Sequence, residues 1–250
     1  MSMLQTSLKA AMNARVIGSG SETMILAHGF GGDQSLWDKI LPYLTKHYHV
    51  LLFDWLCSGT VKDPNLYDPL KYASFDAFAD DLIALMDELH LTSSVLVGHS
   101  MSGMIGCIAS IKKPQLFSRL IFVGSSPSIE SDYGNWTSSF AKLLVDNNDP
   151  LSIEHYFKCL KSMNPEFVLP LAKAIFRSDE RETLEKVTTP CTIVQVKNDL
   201  VVPNSVAYYM QKKIKGETTV EFVNADRHYP QLTAPLELIH VLSRVLGFEI

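Results

Sequence analysis

The run Val95-Leu96-Val97-Gly98-His99-Ser100-Met101-Ser102-Gly103 joins an apolar strand pattern to a small-residue helix pattern through a Gly-His-Ser turn. A serine on such a sharp strand-to-helix turn has its hydroxyl lifted to the C-terminal edge of a sheet, above the positive end of the next helix. That is the setting of a nucleophile. Residues flanking the serine must be small so that strand and helix can approach. Gly98 meets this need, whereas the final Gly of the G-x-S-x-G pattern is replaced by Ser102, with Gly103 following. A second signal is His28-Gly29-Phe30-Gly31-Gly32, directly after the first apolar strand pattern. A Gly-rich turn there can aim backbone amides at a developing oxyanion, and the amides of Phe30 and Met101 are the expected pair. His28 precedes the turn and is read as structural.

A serine nucleophile needs a base, and the base needs an orienting acid. Downstream of Ser100 the histidines are His155, His228 and His240. His155 lies in a helical pattern far from any strand end, and His240 lies inside the last helical pattern. His228 follows the last strand pattern, in the loop Asn224-Ala225-Asp226-Arg227-His228-Tyr229-Pro230, and is the candidate base. Asp199, in Lys197-Asn198-Asp199-Leu200-Val201-Val202-Pro203 after the penultimate strand pattern, is the candidate acid. Asp226 competes with it, but two residues from His228 it is awkwardly placed to bond the imidazole. Asp54-Trp55, at another strand end, reads as a structural turn, with cleft lining as the alternative. No metal-ligand cluster and no G-x-G-x-x-G loop stands out, so neither metal nor other cofactor is expected. The four cysteines, Cys57, Cys107, Cys159 and Cys191, form no Cys-x-x-Cys pair and read as buried thiols of a reducing compartment.

These residues need a scaffold that brings several strand ends together. The chain of 250 residues is 46% hydrophobic and 20% charged, enough for one large domain or two small ones. A net charge of -5 opposes nucleic-acid binding. No run approaches the roughly 20 apolar residues of a membrane span. Lys9, Asn13 and Arg15 interrupt the N-terminal stretch where a secretion signal needs an apolar core. Strand patterns fall at Met24–Ala27, Val50–Asp54, Val95–Val97, Leu120–Val123, Thr192–Val196 and Val220–Val223. They are near-continuous apolar runs, as parallel strands buried on both faces require. Helical faces alternate with them: Phe75, Phe78, Leu82, Leu85, Met86 and Leu89 after a Ser74 N-cap, and Leu236, Ile239, Leu242 and Leu246 after Pro235. The expected class is α/β, with a mostly parallel doubly wound sheet. Roughly 65 residues separate the fourth and fifth strand patterns, far more than an ordinary connection. Helical spacing of Trp136, Phe140, Leu143 and Leu144, of Ile153, Phe157 and Leu160, and of Phe167, Leu171, Ala174 and Ile175 predicts an inserted helical lid, broken near Asn147–Pro150 and Asn164–Pro165. The expected organisation is a core of residues 1–125 and 189–250 with a lid over 126–188.

Over nearly its whole length the chain resembles the plant strigolactone and karrikin receptors, DWARF-type α/β-hydrolases, and their bacterial relative RsbQ. The resemblance is carried by HGFGGDQSLWDKILPYL, VLLFDW, GHSMSGMIGCIASIKKPQLFSRLIFVGSSP, NDLVVP and HYPQLTAP. GHSMSGMIGC, FDAFADDLIALMDEL and SVAYYMQKKIKG look most like the DLK branch. The resemblance implies an α/β-hydrolase fold with Ser100, Asp199 and His228 as triad and Ser102 as a normal family residue. It also implies binding and slow hydrolysis of a small apolar ester or butenolide lactone, with F-box and repressor proteins as partners in the cytoplasm and nucleus. The implied pocket positions are Phe30, His99, Met101, Ile129, Trp136, Phe157 and Phe176. Two departures stand out. Asp132-Tyr133 is followed at once by Gly134-Asn135-Trp136, as if the first lid helix were missing, so that Trp136 is expected to collapse toward the mouth of the site. Arg227 precedes the histidine where many relatives have Gly. A ligand-binding signalling module with incidental turnover and an ordinary metabolic carboxylesterase are the alternative functions.

Overall fold

Apolar residues in unbroken runs can be buried on both sides only if the strands lie between two layers of helices, and the computed structural model has that arrangement. It describes residues 7–128, 144 and 149–250. The strands are β1 (Arg15–Ile17), β2 (Glu22–Ala27), β3 (Tyr48–Leu52), β4 (Ser94–His99), β5 (Phe117–Val123), β6 (Cys191–Asn198) and β7 (Thr218–Asp226). They form one sheet in the order β1-β3-β2-β4-β5-β6-β7. All neighbours are parallel except β1, which pairs antiparallel with β3. The six strands expected from the sequence are present. β1 was not expected, because three half-exposed residues carry no apolar pattern.

The helices whose bounds fall within the described residues are α1 (Leu8–Ala11), α2 (Leu41–Leu44), α3 (Phe75–Glu88), α4 (Met101–Lys112), α5 (Pro150–Ser162), α6 (Pro165–Arg177), α7 (Arg181–Leu184), α8 (Asn204–Lys213), α9 (Pro230–Thr233) and α10 (Pro235–Leu246). Successive strand residues point to opposite faces. Ile25, Leu51, Leu96, Leu120 and Ile193 pack with Phe78, Leu82 and Leu85 of α3 and with Met104 and Ile105 of α4. Met24, Leu26, Val50, Val97, Ile121 and Val194 pack on the other face with Trp37 and with Leu238, Ile239 and Leu242 of α10. Burying each such side chain contributes about 1.5–3 kcal/mol, so packing rather than helix propensity holds α3 and α10 in place. Ser74 occupies the N-cap of α3, but its side chain makes no capping hydrogen bond.

Between β5 and β6 the chain leaves the sheet. Ser128 bridges Asp179, and the Glu180 amide donates to the Pro127 carbonyl at 2.7 Å, so exit and return lie side by side. Of the three expected helices of this region, two are α5 and α6. Asp149 and Asn164 cap them by accepting from the Ser152 and Glu166 amides at 3.0 Å. Of the third, only Leu144 belongs to the described residues, and it is buried against Leu36, Tyr156 and Tyr229. Ile129, Trp136, Phe140 and Leu143, and with them the expected missing helix and its collapse, lie outside the described residues.

Candidate active site

β4 is buried along its whole length and delivers Ser100 at its C-terminal end. Ser100 has φ +55 and ψ -121, a conformation that costs a non-glycine residue about 1–3 kcal/mol. The surroundings over-determine it. The Ser100 amide donates to the Val123 carbonyl of β5 at 2.9 Å. Residues Met101 to Ser110 of α4 are all buried, the helix lying between the sheet and α3. A Cβ at Gly98 would stand 2.7 Å from the Gly103 nitrogen, so only glycine permits this approach of strand and helix. Met101 opens α4, where helix geometry leaves its N–H without an intrahelical acceptor.

Adjacent strands bring the other two candidates to the same edge. β6 and β7 pair up to Asn198 and Asp226, after which Asp199 and His228 follow. His228 Nδ1 lies 2.8 Å from Asp199 Oδ2, and His228 Nε2 lies 3.0 Å from Ser100 Oγ. A carboxylate only accepts, so Nδ1 carries the proton and Nε2 is free to accept from the serine hydroxyl. Asp199 Oδ1 accepts from the Val201 and Val202 amides at 2.8 and 3.2 Å, which fixes the carboxylate plane. The side chains of His228 and Asp199 are 3% and 0% exposed. The His228 amide donates to the Leu144 carbonyl at 3.0 Å. Arg227 sits before it at φ +69, in the left-handed region. Asp226 is exposed and accepts from Asn198 Nδ2 at 2.7 Å. His155 meets Ser35 Oγ at 2.8 Å, and His240 is exposed.

The turn after β2 lies against the elbow: a Cβ on Gly29 would come within 3.1 Å of Ser100 Cβ. His28 is 1% exposed and supports this turn from behind. Its Nδ1 donates to the Gly29 carbonyl at 2.9 Å and its Nε2 accepts from the Trp55 amide at 3.2 Å. Burial holds its pKa below the ordinary imidazole value, consistent with a neutral ring. Ser102 Oγ donates to the His28 carbonyl at 2.5 Å and accepts from Trp55 Nε1 at 3.0 Å. The serine that breaks the G-x-S-x-G pattern thus ties α4 to the glycine turn. Asp54 accepts from Asn13 Nδ2, the Gln34 amide and Thr60 Oγ1, and so organises turns rather than a cleft.

A small cleft beside Ser100 is lined by Phe75, Met101, Gly124, Ser126, Ile175 and Val202. Of the expected pocket positions, Phe30 is nearly buried, and Phe157 and Phe176 are half-buried on α5 and α6. Ile129 and Trp136 lie outside the described residues. His99 corrects an expectation: it is 0% exposed and packs behind the site. Its Nε2 donates to the His228 carbonyl at 2.9 Å, and burial pushes its pKa well below the ordinary value. A residue alternating with Ser100 along the elbow points into the protein, which the motif alone did not convey. Phe75 and Ile175 were missed because their apolar periodicity reads the same for core and cleft, and Val202 because it stands in the acid loop, outside any periodic element.

The family model described as alpha/beta hydrolase fold matches residues 22–149. The strigolactone esterase RMS3 of Pisum sativum is 39% identical, covering 97% of this chain and 99% of its own length. The karrikin insensitive 2 receptor IA of Petunia hybrida is 36% identical, with 97% of each chain covered. A solved hydrolase from Oleispira antarctica superposes with a TM-score of 0.89 at 26% identity over 97% of both chains. With fold, elbow and relatives in agreement, the chain belongs to the α/β-hydrolases, in the group of the plant strigolactone esterases and karrikin receptors.

Proposed function

We propose that the protein binds and slowly hydrolyses a small apolar ester or butenolide lactone, and that Ser100, His228 and Asp199 do the chemistry. The observation that carries this reading is the continuous hydrogen-bonded line from Ser100 Oγ through the imidazole to the buried carboxylate. Ser100 Oγ adds to the substrate carbonyl while its proton passes to His228 Nε2. Asp199 holds the Nδ1 proton and stabilises the imidazolium that forms. The Phe30 and Met101 amides receive the developing oxyanion. Collapse expels the alcohol or enol, which takes the proton from Nε2. Water then repeats the addition on the acyl-serine and restores the enzyme. Phe30, Phe157 and Phe176 supply the apolar surroundings of the ligand.

The substrate class rests on the relatives, which are named strigolactone esterases and karrikin receptors. By the same kinship the protein acts in hormone-type signalling through F-box and repressor partners in the cytoplasm and nucleus. Intact-mass analysis with a racemic butenolide probe tests the reading. Wild type should consume the probe and carry a covalent fragment that Ser100→Ala lacks. Equal consumption by both proteins would refute the assignment.

A further inference from the structure

Two buried tyrosines of separate elements meet at one carbonyl, and neither has a place in the chemistry above. Tyr229 Oη donates to the Phe30 carbonyl at 2.7 Å, and Tyr156 Oη donates to the same oxygen at 3.4 Å. Their rings lie 4.8 Å apart, and both are 1% exposed or less. Tyr229 is the residue after His228, and Tyr156 belongs to α5. We propose that Tyr229, assisted by Tyr156, is a positioning residue that locks the 29–32 turn against the histidine loop and so fixes the amide geometry of the oxyanion site. This inference rests on the hydrolase reading above.

The turn is closed by the Gly32 amide on the Gly29 carbonyl at 3.3 Å, with Gly31 at φ +72. A four-residue turn of this kind has one loose joint, the peptide between its two central residues. Rotating that peptide interconverts the turn types, and a positive φ at the third residue marks one of the two states. The oxygen of that peptide is the Phe30 carbonyl, the atom both hydroxyls hold. Gly31 is required twice: its φ favours glycine, and a Cβ there would stand 2.7 Å from Tyr156 Oη. The Phe30 amide is one peptide away in the same turn, so a turn free to flip would present it less faithfully. Tyr229 is itself held. Its ring lies 4.4 Å from that of His99, whose Nε2 donates to the His228 carbonyl. One side chain therefore couples the oxyanion turn to the loop that carries the base, and α5 joins the same junction. Burial raises the pKa of both phenols, so each stays a neutral donor.

The test is steady-state hydrolysis of p-nitrophenyl acetate, paired with inhibition by phenylboronic acid, which forms a tetrahedral adduct on a catalytic serine. Deleting a whole oxyanion donor costs about 10²–10³ in kcat, so loosening one should cost about 10-fold. Tyr229→Phe should lower kcat about 10-fold with KM within about twofold, and weaken boronate inhibition by the same factor. Tyr156→Phe should show the same pattern at about threefold, and it carries the test if Tyr229→Phe does not fold. Wild-type kcat and boronate affinity in the tyrosine variants, even with a lowered Tm, would overturn the positioning role alone. Equal hydrolysis by wild type and Ser100→Ala would instead overturn the hydrolase reading beneath it.

Discussion

Replacing Asp199 by Asn removes one charge and leaves the shape, and the hydrogen bonds around the carboxylate decide how the amide must sit. Oδ1 accepts from two backbone amides, of Val201 and Val202, while Oδ2 faces His228 Nδ1. The asparagine oxygen must take the Oδ1 place, because an NH₂ group there would point its hydrogens at two N–H donors. The NH₂ group then faces Nδ1, which becomes the acceptor, and the imidazole proton moves to Nε2. That nitrogen lies 3.0 Å from Ser100 Oγ and could no longer take the serine proton. The expected loss in kcat is about 10⁴-fold, about 5.4 kcal/mol of transition-state stabilisation. The fold should persist, because the amide preserves both backbone contacts. Asp226→Asn is the matched control: its carboxylate is exposed and bonds only the Asn198 side chain among the described residues, so kcat should change less than about threefold. Initial rates on p-nitrophenyl acetate, corrected with Ser100→Ala, measure both. A folded Asp199→Asn protein retaining a tenth of wild-type kcat, or a larger effect at Asp226, would refute the reasoning.

Three further outcomes follow from the geometry. Gly31→Ala places a methyl 2.7 Å from Tyr156 Oη and 2.9 Å from Leu160 Cδ1 at φ +72, and should cost about 2–4 kcal/mol in urea unfolding; a loss below 1 kcal/mol would contradict it. Arg227→Gly relaxes a left-handed residue at φ +69 and should leave stability unchanged or raise it by up to about 1 kcal/mol, so clear destabilisation by the same assay would show that the arginine side chain contributes packing. Burial lowers the folded-state pKa of both His28 and His99 below 6.5, so the unfolded chain binds more protons as pH falls through 6.5. Stability from these two groups is present above pH 6.5 and lost below it. Tm should therefore be lower at pH 5.5 than at pH 7.5, and a flat profile would count against two neutral buried imidazoles.

Elements whose signal lies in local periodicity were legible in the chain. The buried strands, α3, α10 and the capped starts of α5 and α6 each follow from apolar spacing or from a Pro behind an Asn or Asp. So did the choice of Ser100, Asp199 and His228 as candidates, because strand ends are visible in sequence and a parallel sheet gathers its C-terminal ends along one edge. β1 escaped because three half-exposed residues bury too little to leave a pattern. His99 was misjudged because a sharp turn decides which of two neighbouring side chains faces out. The sequence by itself determined which residue types stand at which strand ends. Only the tertiary structure decided the 2.8 Å contact between Asp199 and the imidazole, that Ser102 fastens α4 to the glycine turn, and that Tyr156 and Tyr229 converge on the Phe30 carbonyl. Those contacts join residues 29, 74, 126 and 199 positions apart. Periodicity sees a few neighbours, whereas a hydrogen bond is fixed to tenths of an ångström by the packing of every element between its partners.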